Sequence, residues 1–307
     1  MTLQDKLLSK NGQATIRLSK QLLNYRIGEK IPTITEFSSV LGLSRGTVQN
    51  ALKNLIDSEA VRIESKGHLG SDLTKKNTLL LLEFAGITYL VGAMPLPYTK
   101  RYEGLASGLI VALENHYNIP VTLAYMRGSL NRISMVLQGR YDFAVTSRYA
   151  ANEFIRNHPS IEPIISLGPG SYLSSHVLMF HNPNDHEITD GMKVGIDHTS
   201  FDQKLLTEQA CEGKKVEFIP IEYSRIIERI ISGEIDATVM NIDEALDKRY
   251  RINYRNLPEL SDESTEAVIV VNNKTPEIGR LLTEMLDVET VLNIQRLVME
   301  EKIIPSY

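Results

Sequence analysis

The chain has 307 residues, 42% hydrophobic and 23% charged, a length that points to about two domains and a composition that excludes a disordered, collagen-like or disulfide-stapled protein. Its net charge of −5 divides unevenly. Residues 1–76 hold 12 of the 33 basic and 7 of the 38 acidic residues, +5, which leaves 21 against 31, −10, for the rest. A basic segment on an acidic body suggests that the small part meets a polyanion.

The first residues lack the apolar run and small-residue cleavage site of a secretory signal. The single thiol, Cys211, permits no internal disulfide, and a cytoplasmic protein is expected. Residues 13–23 read as an amphipathic helix, with Ile16, Leu18, Leu22 and Leu23 available for one buried face. Gly28 and Pro32 punctuate a loop, and Thr33 with Glu36 fits a capping box. The helix that follows places Phe37, Val40 and Leu41 inward and ends at Gly42. Ser44 then caps a second helix, 45–56, carrying Val48, Leu52, Leu55 and Ile56 at helical spacing. Two short helices around a glycine turn have helix-turn-helix geometry. The other face of the second helix presents Ser44, Arg45, Thr47, Gln49, Asn50 and Lys53, side chains that bond phosphates and base edges. A strand over 60–64 and a turn at 65–68 complete a small wing whose tip offers Lys66 and His68.

These residues, above all Leu41-Gly-Leu-Ser-Arg-Gly-Thr-Val48 and Lys66-Gly-His68, resemble the winged helix-turn-helix of GntR-type regulators. The resemblance implies that Arg45, Thr47 and Gln49 make recognition-helix contacts and that the 66–68 wing meets the DNA backbone. The chain departs from the family at Thr35, a commonly basic position, and at Gln49-Asn50, where Arg-Glu is common. The preferred base sequence is therefore not inherited from the family.

The apolar run 78–94 is interrupted by Glu83, Gly86 and Thr88 and falls short of a membrane span. Its part 79–82 reads equally as a linker, a dimer contact or a buried strand. From 87 onward strands and helices alternate, the mark of parallel α/β units. Residues 137–145 and 231–239 echo each other, each with a helix ending at Gly and an Asp opening a strand, so one unit is used twice.

The arrangement resembles the type II periplasmic-binding-protein fold, two α/β lobes that close on a ligand. Together with the head it is similar to the YhfZ family of bacterial transcriptional regulators. The expected fold is thus an α+β winged helix-turn-helix domain, 1–76, followed by a two-lobed α/β domain, 77–307. Lobe 1 takes about 87–170 and 262–307, and lobe 2 about 171–261. Ligands of open α/β sheets sit beyond the carboxyl ends of the strands. That rule nominates Pro95, Tyr98, Arg127, Ser129, Thr146, Ser147, Arg148, Ser171, Asp197, Thr199, Ser200 and Asn241. Helix N-termini and the arginines Arg127 and Arg148 favour a carboxylate or phosphate ligand.

The expected partners are double-stranded DNA, a small-molecule effector and a second copy of the chain, with no membrane. No cofactor or metal is expected. The turn holding His181, Asp185 and His186 has no thiolate or clustered acid, and Gly168-Pro-Gly-Ser171 lacks the lysine of a P-loop and reads as an interlobe bend. Asp197, His198 and Ser200 are too close in sequence for relay geometry. Lys100 and Arg101 read as the solvated start of a helix. The alternative to a regulator is an enzyme of lyase, dehydratase or transferase type on the same two-lobed body, with Asp142, Asp197, Asp236 or Asp243 as its acid or base.

Overall fold

The structure, a computed structural model, describes residues 8–117, 119–257 and 262–307. The expected lobe boundary at 261/262 lies at the edge of the stretch 258–261, outside the described residues. By contacts the chain forms two compact units. The first comprises Met1–Leu90, His116–Pro120 and Thr275–Met285, and the second Val91–Asn115, Val121–Lys274 and Leu286–Tyr307.

The first unit begins with α1 (Lys10–Leu23), α2 (Ile34–Leu41) and α3 (Arg45–Asp57). A three-stranded antiparallel sheet in the order β1 (Lys30–Ile31), β3 (Ser71–Lys76), β2 (Val61–Ser65) accompanies them. Ala14, Leu18 and Leu22 of α1 meet Phe37, Val48, Ala51 and Leu55 in a core whose members are all almost fully buried. Val40 is 68% exposed, contrary to the inward position expected of it. Phe37 and Leu41, four residues apart, define the buried stripe of this short helix, and Val40 falls off it.

Residues 79–82 form neither linker nor strand but part of α4 (Thr78–Ala85). Asn77 Oδ1 accepts from Leu80 N–H at 3.2 Å to open that helix, and Gly86, at φ 74°, closes it. Leu81, Leu82 and Ala85 are buried, and α4 packs against α1.

The second unit holds two five-stranded sheets. That of lobe 1 runs β5 (Val121–Tyr125), β4 (Leu90–Met94), β6 (Phe143–Ser147), β13 (Ala267–Asn272), β7 (Ile161–Ser166). That of lobe 2 runs β10 (Glu217–Pro220), β9 (Lys193–Ile196), β11 (Ala237–Asn241), β8 (His176–Phe180), β12 (Asn253–Asn256). In each, a parallel core pairs with antiparallel neighbours, β13 beside β6 and β8 beside β11. Strands β6, β8, β11 and β13 are buried at every position, as strands covered on both faces must be. Lobe 1 carries α5 (Lys100–Tyr117), α6 (Ser129–Leu137) and α7 (Arg148–Asn157), and lobe 2 carries α8 (Phe201–Ala210), α9 (Ile226–Ser232) and α10 (Ile242–Asp247). Helix α11 (Pro276–Met285) belongs to the first unit, and α12 (Val288–Met299) to the second.

The sequence echo has one physical meaning in both lobes. Asp142 N–H donates to Val91 O and its carboxylate accepts from Val91 N–H, each at 2.8 Å. Asp236 makes the same reciprocal pair with Lys193, each bond 2.7 Å. Each aspartate thus clamps the start of one strand to the start of its neighbour.

Candidate functional site

The geometry of the head begins at the caps. Thr33 Oγ1 accepts from Glu36 N–H at 3.3 Å, and Glu36 Oε2 accepts from Thr33 N–H at 2.7 Å, so the expected capping box is formed. The bonds that Thr33 donates to the Glu36 carboxylate, from its backbone N–H and its hydroxyl, hold that carboxyl below its ordinary pKa. Gly42 adopts φ 64°, a left-handed turn that glycine enters without steric cost. Ser44 Oγ then accepts from Thr47 N–H at 3.3 Å and opens α3. Because Val48, Ala51 and Leu55 face the core, Ser44, Arg45, Gln49, Asn50 and Lys53 are exposed and Thr47 is half-buried. The wing is β2 and β3 joined by a 3-10 turn, Gly67–Leu69. His68 is exposed at its tip, and Lys66 forms an ion pair with Asp72 at 2.6 Å, which raises the lysine pKa.

The second unit encloses a cavity of about 60 Å³ between its lobes. Lobe 1 contributes Pro95, Tyr98, Tyr102, Arg127, Ser129 and Arg132, and lobe 2 contributes His176, Asp197, Ser200, Asp202 and Tyr223, with Tyr172 at the crossover. Asp197 organises the lobe 2 wall. Its Oδ1 accepts from Thr199 N–H and Oγ1–H at 2.8 and 2.7 Å, and its Oδ2 accepts from Tyr223 N–H at 2.9 Å. Tyr223 Oη in turn accepts from Asn241 N–H at 3.0 Å, and its ring stacks on Tyr98 with centroids 6.1 Å apart. On lobe 1, the Arg132 guanidinium donates to Val145 O at 3.0 Å, Met126 O at 2.9 Å and Tyr172 Oη at 2.8 Å.

Burial sets the protonation of this wall. It pushes the Tyr102 and Tyr223 phenols well above their usual range and Tyr98 up to about 12. It raises Asp202 to about 6, against a hydrogen bond from Ser147 and the charge of Arg132. It lowers His176 to about 4, against the pull of Asp243. Three buried polar atoms of the lining make no hydrogen bond within the protein, Ser129 Oγ, His176 Nδ1 and Asp202 Oδ1.

Of the twelve nominated ligand residues, the structure brings Pro95, Tyr98, Arg127, Ser129, Asp197 and Ser200 to the cavity. The other six are not among its lining residues. Thr146 is fully buried within β6, and Ser147 caps α7 by accepting from Ala150 N–H at 3.1 Å. Arg148 forks onto Glu266 with two bonds of 2.6 Å. Ser171 Oγ ties Gly168 O to Ala267 N–H. Thr199 supports Asp197, and Asn241 caps α10 through a 2.9 Å bond from Asp243 N–H. Arg127 reaches across the lobes to Glu222 at 2.7 Å.

Lys100 and Arg101 open α5 as expected, and the Lys100 ammonium is solvated, but Arg101 is not. Arg101 pairs with Asp243 of lobe 2 at 2.9 Å and donates to Gly170 O, while Lys100 N–H donates to Asp247 Oδ2 at 2.8 Å. Lining residues that the sequence did not nominate include Tyr102, Arg132, His176, Asp202 and Tyr223. Arg132 and Asp202 left a signal. Arg132 shares the buried face of α6 with Ser129, Ile133 and Val136, and Asp202 shares that of α8 with Gln203 and Leu206. A charge on an inward stripe marks a site. No group of three or more His, Cys, Asp or Glu able to hold an ion occurs among the described residues.

A helix-turn-helix with a β-hairpin wing, followed by two α/β lobes, defines a DNA-binding head on a two-lobed α/β body. A helix-turn-helix domain model matches residues 26–73, and the model of the YhfZ C-terminal domain matches residues 77–307. The uncharacterized protein YhfZ of Escherichia coli (strain K12) is 33% identical over 304 residues, 98% of each chain. The crystal structure of YhfZ from Shigella flexneri matches with a TM-score of 0.62 at 32% identity, covering 75% of this chain and 97% of that one. The chain belongs to the YhfZ family. A more distant likeness, of fold alone, is to the periplasmic aliphatic sulphonate binding protein SsuA from Escherichia coli, with a TM-score of 0.51 at 14% identity over 70% of this chain and 74% of that one.

Proposed function

We propose that the chain is a cytoplasmic transcriptional regulator, with a head in 1–76 that reads operator DNA as a homodimer and a body in 77–307 that senses a small molecule. The observation that carries the DNA reading is the exposed row Ser44, Arg45, Gln49, Asn50 and Lys53 on a helix whose other face is core. Thr47, Lys66 and His68 flank that row and supply further contacts to the backbone. No helix among the described residues is long and apolar enough to cross a membrane.

The ligand site in this reading is the interlobe cavity. Pro95, Tyr98, Arg127, Ser129, Asp197 and Ser200 line it. Of the other nominated residues, Thr199 bonds the lining residue Asp197, and Thr146, Ser147, Arg148, Ser171 and Asn241 lie outside the lining. A carboxylate or phosphate on the ligand is received at the start of α6, where Gly128 is the N-cap residue and offers no side chain to the free amides. Ligand favours the closed state of the lobes and so changes the spacing of two heads in a dimer. Its effect on DNA occupancy is bounded by its differential affinity for the two states. A regulator rather than an enzyme is the better reading, because Asp142 and Asp236 are strand clamps and Asp197 and Asp243 are occupied by structural hydrogen bonds.

Footprinting upstream of the protein's own gene tests this. Two protected half-sites about one helical turn apart are expected, lost in Arg45→Ala. A footprint that survives in Arg45→Ala would remove α3 from the role of reader.

A further inference from the structure

Arg132 of lobe 1 and Asp202 of lobe 2 are buried charges of opposite sign in the cavity wall, and Arg132 acts on Asp202 through its charge without bonding it directly. Arg132 is 3% exposed and Asp202 7% exposed, and no ion pair within 4.0 Å joins them. Three of the five guanidinium N–H groups of Arg132 go to neutral oxygens, which leaves two. Ser147 bonds the Asp202 carboxylate, while Asp202 Oδ1 makes no hydrogen bond although it is buried at the cavity wall. Asp197, 4% exposed, is a second buried carboxylate of the lining, but both of its oxygens are taken by bonds from Thr199 and Tyr223, so Asp202 keeps the free acceptor; His176 is neutral, and Arg127 is paired with Glu222.

From this arrangement we infer that the cavity is built for a small zwitterion, its ammonium group received by Asp202 and its acid group by Arg132 and Ser129. The inference rests on the ligand-sensing reading and narrows it. A simple carboxylate or phosphate leaves Asp202 buried and uncompensated, and a simple amine does the same to Arg132, whereas a molecule bearing both signs satisfies both. The space of about 60 Å³ admits roughly four to six water-sized groups, enough for a small molecule.

The test is calorimetric titration of the full chain with three sets of probes. These are the α-amino acids with β-alanine and taurine; acetate, propionate, succinate and phosphate; and ethylamine, ethanolamine and putrescine. One of the zwitterions is expected to bind, with the corresponding acid and amine at least about tenfold weaker. Asp202→Asn is expected to weaken the zwitterion at least about tenfold, to leave the acid unchanged and not to lower the melting temperature of the free protein. An acid that binds as tightly as any zwitterion, indifferent to Asp202→Asn but lost in Arg132→Lys, overturns the zwitterion and keeps the cavity as the sensor. Binding indifferent to both variants overturns the cavity as well. If none of the three sets binds, the inference is wrong, and the DNA reading is untouched.

Discussion

Asp202 and His176 titrate in opposite senses because both are buried without full hydrogen-bond satisfaction. Asp202 is raised from 3.8 to about 6, so the stability linked to it is complete below pH 3.8 and lost as pH rises through about 6. His176 is lowered from 6.5 to about 4, so its share is complete above pH 6.5 and lost as pH falls through about 4. Between these limits the two offset one another. Asp202→Asn removes one side of the balance. In the ligand-free protein it should stabilise above pH 6 by on the order of 3 kcal/mol, the gain vanishing below pH 4. Thermal melts of parent and variant across pH 4–8 measure that difference, and parallel curves would mean that Asp202 is already neutral or solvated at pH 7. Arg45 belongs to the other kind of residue, exposed on a helix that other side chains hold. Arg45→Ala should leave stability within about 0.5 kcal/mol while weakening DNA binding.

At the scale of elements, caps and close approaches decide. Ser44→Ala removes the side chain that opens α3 and should cost about 1 kcal/mol of head stability, read as a lower melting temperature. Gly128, at the start of α6, sits at φ 80°, and a Cβ there would stand 2.7 Å from Thr199 O on the other lobe. Gly128→Ala should therefore strain the turn and hold the lobes apart, destabilising by about 1–3 kcal/mol. Faster amide exchange in residues 197–203 would report it, and unchanged exchange would mean that the lobes absorb the methyl. The head was legible in sequence down to its caps, because a capping box and a glycine turn are local chemistry. So was the twofold use of a Gly after a helix and an Asp at the start of the next strand. The cavity was legible by half. Strand ends nominated Tyr98, Ser129 and Asp197, but Arg132, Asp202 and Tyr223 lie inside helices or beyond the strand ends and meet only through the packing of two lobes. Helix α4 escaped because its apolar run is as consistent with a buried strand as with a helix.

Over the whole molecule the chain does not run once from head to body. It passes between the two compact units at 90/91, 115/116, 120/121, 274/275 and 285/286. Within the first unit, Lys76 at the end of β3 donates to Tyr25 O at 3.0 Å and lies 4.0 Å from Glu284 of α11, which sequence places among the body's residues. Burial lowers the lysine pKa, with Glu284 opposing. Lys76→Met should cost about 1–3 kcal/mol by leaving Tyr25 O without its donor, seen as a lower melting temperature. A melt that does not shift would assign Lys76 no part in holding the wing strand.

The central claim is that this chain reads DNA through its head, and fluorescence polarisation measures that most directly. Full-length protein would be titrated with duplexes from upstream of its own gene and with unrelated duplex of equal length, at salt from about 50 to 200 mM. The account predicts tighter binding to the upstream DNA and an affinity that falls steeply with salt, as phosphate contacts by Arg45, Lys53, Lys66 and their neighbours require. Equal binding to both duplexes, or none to either, would contradict it.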